Sequence, residues 1–381
     1  MIGSFKQIAC AVRRSLPLAI CLLIFFAAGA ARADWKTEWD KTVAAAKKEG
    51  RVNLYIGRYG QPQLLAEFSK EFPEIKPVSV NGSGNQLALR ILAEARAGKP
   101  IGDLYSGGAN SSYTLLYRGR LLAPVPPALI LPEVVDPSKW YTGKHVYTDN
   151  DGKFIFVYIA NPGRGSLSYN TSLVNPAEFK SHWDLINPRW KGKIGSQPLT
   201  ETGLGASLQF FYYHPEIGPE WIKRIYSTMD VTFGDRHLLV DWLAKGKLAL
   251  CIGCRGTERA KTQGLPVADF DDGLWKEAQG VTTGGGSLSL VKDAPHPNAA
   301  RVFVNWFLSR RGQIAMQSSN DLYGEPPPNS RRIDIPKDTL LPENRIVEGR
   351  NYIDISGSEY ADLTPIFKLG KEIMKNVEAK R

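Results

Sequence analysis

Between Arg51 and Ser106 the chain alternates short apolar runs with amphipathic ones, and that alternation leaves few folds open. A helix over Trp35–Lys48 is stopped by Gly50, and Arg51–Tyr55 then reads as a buried strand. Pro62 suits the first turn of a helix running to Phe72, Lys76–Val80 reads as a second strand, and Gln86–Ala97 as a helix closed by Gly98. Asp103–Ser106 supplies a third strand. Strands separated by helices in this order call for an α/β fold with a mostly parallel sheet and helices on both faces.

The Pro-rich stretch from Pro124 to Pro137 interrupts the pattern and marks a candidate lobe boundary. A second series follows, with strands expected at Lys153–Ile159, Leu167–Tyr169, Ile194–Gln197, Val231–Phe233 and Lys247–Ile252. Helices are expected at Ala206–His214, Pro219–Thr228 and Arg236–Ala244. Gly284-Gly285-Gly286 leads into the apolar strand Ser287–Val291, and Asn298–Leu308 carries apolar residues at 300, 303, 304, 307 and 308, the spacing of one buried helix face. No repeat at solenoid periods interrupts this order. Two α/β lobes leave a cleft between them, and ligands of open α/β sheets lie beyond the carboxyl ends of the strands.

Residues 1–33 read as a secretory signal peptide: Lys6, Arg13 and Arg14 precede an apolar run from Leu16 to about Ala28, and Ala31-Arg32-Ala33 supplies small residues for cleavage after Ala33. The run is short for a membrane span of roughly 20 residues. Its removal takes away four basic and no acidic side chains, so the formal net charge falls from +10 to +6. Basic and acidic residues interleave along the rest, which argues for no nucleic-acid footprint. Cys251 and Cys254 then remain as the only thiols, in an oxidising compartment.

The loops that follow strands carry the candidate ligand groups. After the first strand comes Gly57-Arg58-Tyr59-Gly60, offering a cation and a phenol; after the second, Asn81-Gly82-Ser83-Gly84-Asn85 opens into a helix whose backbone N–H groups suit an anion, or which Ser83 or Asn85 simply caps. Ser106-Gly107-Gly108 after the third strand permits close backbone approach. In the second half Thr202-Gly203 opens a helix, and Arg236 and Arg255 follow strands where a guanidinium fork suits two-point contact with an anion.

A dinucleotide fingerprint is absent, because Gly82-x-Gly84 meets Leu87 and Gly203-x-Gly205 meets Leu208 where a third Gly belongs; no Walker-type loop exists either. Cys251-Ile252-Gly253-Cys254 fits either a redox pair or, preferably, a small structural disulfide bracing the loop that presents Arg255. The five His stand apart with no zinc spacing, and no G-x-S-x-G elbow occurs. No cofactor, metal site or catalytic residue is expected.

Ser181-His182-Trp183-Asp184-Leu185-Ile186-Asn187-Pro188-Arg189-Trp190-Lys191-Gly192-Lys193-Ile194-Gly195 closely resembles a segment of the extracellular solute-binding proteins of ABC importers, in the group typified by ferric-ion-binding proteins. Lys48-Glu49-Gly50-Arg51-Val52, Gly102-Asp103-Leu104-Tyr105, Gly119-Arg120-Leu121-Leu122 and Trp306-Phe307-Leu308-Ser309-Arg310-Arg311-Gly312-Gln313 agree in order. The resemblance implies a two-lobed type 2 periplasmic binding fold with crossover hinge strands. It divides the chain into a first lobe over 34–137, a second over 138–283, a return to the first over 284–330, and a segment 331–381 packing across the second lobe and hinge.

The resemblance also implies a departure. Where iron-binding members carry a His, a Glu and two adjacent Tyr as ligands, the matching positions are Tyr59, Gly107 and Arg255-Gly256, and an Arg repels a ferric ion where tyrosinate should hold it. Thr202-Gly203 resembles the helix start that holds the accompanying anion in that family, with Arg236 replacing an Asn. The tandem Tyr212-Tyr213 falls inside an expected helix, as core. The expectation is a monomeric periplasmic receptor that carries a small anionic solute, organic or phosphorylated, to an inner-membrane ABC permease. Its ligand set would be Arg58, Tyr59, Ser83, Ser106 and Gly107 from one lobe and Thr202, Gly203, Arg236 and Arg255 from the other. Ferric iron or its chelate is the alternative cargo, and a periplasmic thiol-disulfide protein the alternative of another class.

Overall fold

The structure, a computed structural model, describes residues 34–60, 62–162, 167–199, 202–254, 256–319 and 327–379, with backbone alone at 202–207, 236, 258, 272 and 343. The expected signal peptide and Arg255 lie outside the described residues. No helix among the described residues is long and apolar enough to cross a membrane.

The first sheet is built from the runs that the alternation pointed to. Strands β1 (Arg51–Ile56), β2 (Lys76–Asn81) and β3 (Leu104–Gly107) lie parallel in the order β2-β1-β3, with Ile56 beside Asn81 and Ser106 at their carboxyl ends. Helices Pro62–Glu71 and Gly84–Arg96 make the crossovers. Short β4 (Leu122–Ala123), β5 (Val146–Tyr147) and β6 (Phe156–Val157) join it through a later strand, Ser287–Val291, which runs antiparallel to β3, β4 and β6. Val52, Leu54, Phe68, Leu104, Phe303 and Phe307 form its core, and full burial of each such side chain contributes about 1.5–3 kcal/mol.

Residues 146–157, expected in the second lobe, therefore belong to the first sheet. The expected strand Lys153–Ile159 shrinks to β6 because the buried Asp149 carboxylate accepts the backbone N–H groups of Lys153, Phe154 and Ile155, at 2.8–3.0 Å. Those groups turn the chain instead of entering a ladder.

The chain then crosses over. β7 (Asn161–Pro162) leads to β8 (Leu167–Asn170), which with β9 (Ile194–Ser196), β10 (Thr232–Phe233), β11 (Leu250–Ile252) and β12 (Val267–Asp269) makes a second sheet in the order β10-β9-β11-β8-β12. Here β9, β10 and β11 are parallel, and β8 is antiparallel to β11 and β12. Helices Thr202–Tyr213, Gly218–Thr228 and Arg236–Ala244 cover it. Trp221, Ile222, Ile225 and Leu250 share its core with Ile366, Leu369 and Ile373 from the last helix, Thr364–Glu378. The Ser181–Gly195 block forms turns of this body: Ser181 and Asp184 make a reciprocal cap, and Asn187 caps the turn after it.

The return crossing is β13 (Gln279–Thr282) followed by β14 (Ser287–Val291). β13 pairs antiparallel with β7, so the two crossings form one ribbon, and β15 (Tyr352–Asp354) adds a third, parallel strand to it. Gly284 and Gly285 sit between β13 and β14 with φ of 54° and 83°, backbone that L side chains rarely adopt.

Candidate functional site

The carboxyl ends of β1, β2 and β3 converge on glycine. A Cβ on Gly57 would lie 3.5 Å from Gly107 Cα and 3.6 Å from the carbonyl oxygen of Gly82, so the three loops present backbone at close quarters. The structure explains two of these glycines without a ligand. Tyr105 is fully buried beneath them, its hydroxyl donating to Gly84 O at 3.1 Å, and a Cβ on Gly84 or Gly107 would come within 2.8 or 2.7 Å of that hydroxyl. Gly107 is required by the tyrosine underneath, whatever lies above.

The other first-body candidates are likewise engaged. Ser83 caps Gly84–Arg96: its Oγ accepts from Gln86 N at 3.3 Å while Gln86 Oε1 accepts from Ser83 N at 3.1 Å. The capping reading of this loop is the one seen. Ser106 is buried, with its hydroxyl 2.8 Å from Tyr158 Oη. Tyr59 is buried rather than presented to solvent; its hydroxyl donates to Gly284 O at 2.7 Å, and its ring meets Tyr158 edge-on at 6.5 Å. Arg58 stacks over the Tyr59 ring at 5.8 Å, and its Cδ lies 3.4 Å from where a Cβ on Gly285 would be. The loop after β1 is thus fastened to the glycine crossing, and the end of β3 to Tyr158, which follows β6.

Burial pushes the hydroxyls of Tyr105 and Tyr158 well above the ordinary phenol range, so they stay protonated at neutral pH. The Tyr212-Tyr213 pair ends helix Thr202–Tyr213; Tyr213 donates to Asp362 O at 2.6 Å and burial pushes it up to about 12. Among the described residues no three His, Cys, Asp or Glu gather as a metal-binding group.

In the second body, Thr202 and Gly203 form the first turn of a helix that follows β9, and Arg236 is the first residue of the helix after β10. That second helix start is already occupied by Asp235, whose carboxylate accepts from His237 N at 2.9 Å and Leu238 N at 3.1 Å. An Asp directly before an apolar-periodic run is a cap that the sequence itself signals. Gly256, with φ of 90°, begins helix Thr257–Thr262, and Thr257 and Ser168 both donate to Asp269 at the end of β12.

Cys251 and Cys254 form a disulfide with Cα atoms 5.9 Å apart. Both are fully buried among Leu239, Leu243, Leu248, Ala260 and Val267, so the bridge ties β11 to Cys254 inside that cluster. A redox pair needs an accessible sulfur with a lowered pKa, and neither sulfur is exposed.

No protein-family model matches the chain. Solved structures do resemble it. The Trichodesmium protein IdiA (FutA), in complex with iron and citrate, matches with a TM-score of 0.62 at 19% identity, over 85% of this chain and 99% of its own. Iron-bound HitA from Pseudomonas aeruginosa matches at 0.56 and 17%, over 85% and 99%. AfuA from Actinobacillus pleuropneumoniae, a periplasmic binding protein with fructose-6-phosphate bound, matches at 0.53 and 18%, over 86% and 99%. Two α/β bodies, joined by a paired double crossing and resembling these proteins over nearly their whole length, give this chain the fold of the type 2 periplasmic binding proteins.

Proposed function

We propose that the chain is the solute-binding component of an ABC importer, exported to the periplasm, where it captures a small anionic solute between its bodies and hands it to an inner-membrane permease. One observation carries the reading: two sheets form two bodies, and among the described residues the chain crosses between them through a narrow ribbon, β7 with β13 and β15, beside the glycine-floored ends of β1–β3. A ligand that touches both bodies stabilises the closed form in proportion to its differential affinity, and one that touches a single body shifts nothing.

An organic or phosphorylated anion is the cargo favoured here. Arg58 offers a cation from the first body; in the sequence of the second, the helix start at Thr202-Gly203 precedes Arg236 and Arg255, each of which follows a strand, and their guanidinium groups suit two-point contact with an anion. The Tyr105 and Tyr158 hydroxyls are buried and engaged with Gly84 O and the Ser106 hydroxyl. The resembling proteins bound to fructose-6-phosphate and to iron with citrate both hold ligands rich in anionic oxygen. Gly107, Ser83 and Ser106 shape the floor of the site through backbone and packing.

Titration calorimetry with fructose 6-phosphate, citrate and ferric citrate, with native mass spectrometry of whatever co-purifies, tests this. The expected result is binding of a metal-free anion that weakens at least tenfold in both Arg236→Ala and Arg255→Ala. Binding of ferric citrate with a visible phenolate-to-iron band, and of no metal-free anion, would overturn it in favour of an iron receptor.

A further inference from the structure

The C-terminal segment passes repeatedly from one body to the other. Residues 329–331 run beside 158–160 of the outgoing crossing: Ala160 N donates to Asn329 O and Arg331 N to Tyr158 O, both at 2.8 Å. Arg332, fully buried, is tied to the first body through Leu308 O at 3.0 Å and the Glu133 carboxylate at 3.2 Å. β15 then joins the hinge ribbon, where Asp354 pairs with the buried Arg331. Ser356 O accepts from Thr148 of the first body at 3.0 Å, while Ile355 packs in the second core.

At 360–363 the two sides alternate residue by residue. Tyr360 packs against the second body's core and its carbonyl accepts from Gln209. Ala361, fully buried, belongs to the cluster of Tyr55, Leu87 and Tyr113 in the first body. Leu363 returns to the second core. Asp362 stands at the seam: its carbonyl accepts from Tyr213 of the second body, and its carboxylate pairs with Arg118 of the first at 3.1 Å. Arg118 is held for that contact by stacking over Tyr113 at 5.2 Å.

From this we infer that residues 327–363 form a strap across the seam and that the Arg118–Asp362 pair is its detachable catch, limiting how far the ligand-free bodies open. The strap's other ion pairs to the bodies have at least one better-covered partner: Arg332 is fully buried against Glu133, and Arg350 is 29% exposed against Asp271. The catch is an ion pair with both side chains about half exposed, 48% and 41%, so it is the contact that salt and substitution reach first. The inference rests on two bodies that move but on no particular cargo, so it can fail while calorimetry succeeds, and the reverse.

The test uses spin labels on Leu89→Cys in the first body and Leu173→Cys in the second, both exposed, in protein refolded to strip bound solute. Pulsed dipolar spectroscopy at low salt reads the distance distribution. Arg118→Glu is expected to raise the longer-distance population two- to fivefold, as is 0.5 M NaCl with the native pair, and the swapped pair Arg118→Glu with Asp362→Arg to restore it. A distribution unchanged by Arg118→Glu overturns the catch, and so does an opening that the swap fails to reverse.

Discussion

His182 and Glu277 meet in the second body with almost no exposure, and replacing Glu277 by Gln has a cost that the structure sets. The Glu277 carboxylate accepts from His182 N at 3.1 Å, lies 3.1 Å from His182 Nδ1 and takes the Ser181 hydroxyl. Burial alone would raise its pKa, but the hydrogen bonds from His182 and Ser181 outweigh burial and hold it at about 2, against an ordinary 4.5. At about 1.4 kcal/mol per unit, that difference is of the order of 3 kcal/mol. A carboxylate whose folded pKa is depressed contributes fully above its unfolded pKa and loses the contribution as pH falls from about 4.5 towards 2. Urea unfolding followed by tryptophan fluorescence should therefore show Glu277→Gln less stable than the parent by about 2–3 kcal/mol at pH 7, with the gap shrinking progressively below pH 4.5. Trp275, whose ring centre lies 4.8 Å from that of His182, reports on the site directly. A gap absent at pH 7, or one that stays constant down to pH 3, would refute the reasoning.

Two further outcomes test the site's packing. Gly107→Ala should lower the melting temperature by several degrees, because the new Cβ falls 2.7 Å from Tyr105 Oη, and Tyr105→Phe in the same chain should recover part of the loss; full stability of the single variant in a thermal melt would contradict that account. Replacing Cys251 and Cys254 together by Ser should cost about 2 kcal/mol from the short loop they close, with no change in an insulin-reduction assay, where activity lost on replacement would support the redox reading instead.

Much of the fold was legible because strands covered on both faces write themselves as apolar runs: Arg51–Ile56 and Ser287–Val291 are buried almost throughout, and both were found. The hinge was not. Asn161–Pro162 and Gln279–Thr282 are short and partly polar, and only their pairing with each other and with β15 makes them strands. The boundary expected at Pro137 fell early because a single side chain, Asp149, turns the chain back into the first sheet. The candidate loops lie at or next to strand ends, but what each residue does there depends on what lies beneath it. Gly107 reads as room for a ligand in one dimension and as room for Tyr105 in three; Tyr59 reads as an exposed phenol and proves to anchor a crossing.

Neither body is a contiguous stretch of chain, and this bears on how the molecule comes into being. The first sheet waits for β14 before β3 and β6 have a neighbour between them, and the second hydrophobic centre waits for Ile366, Leu369 and Ile373 from the final helix. Vectorial synthesis therefore delivers both halves unfinished until that helix emerges, and cutting either half out as one fragment leaves an apolar wound on its surface.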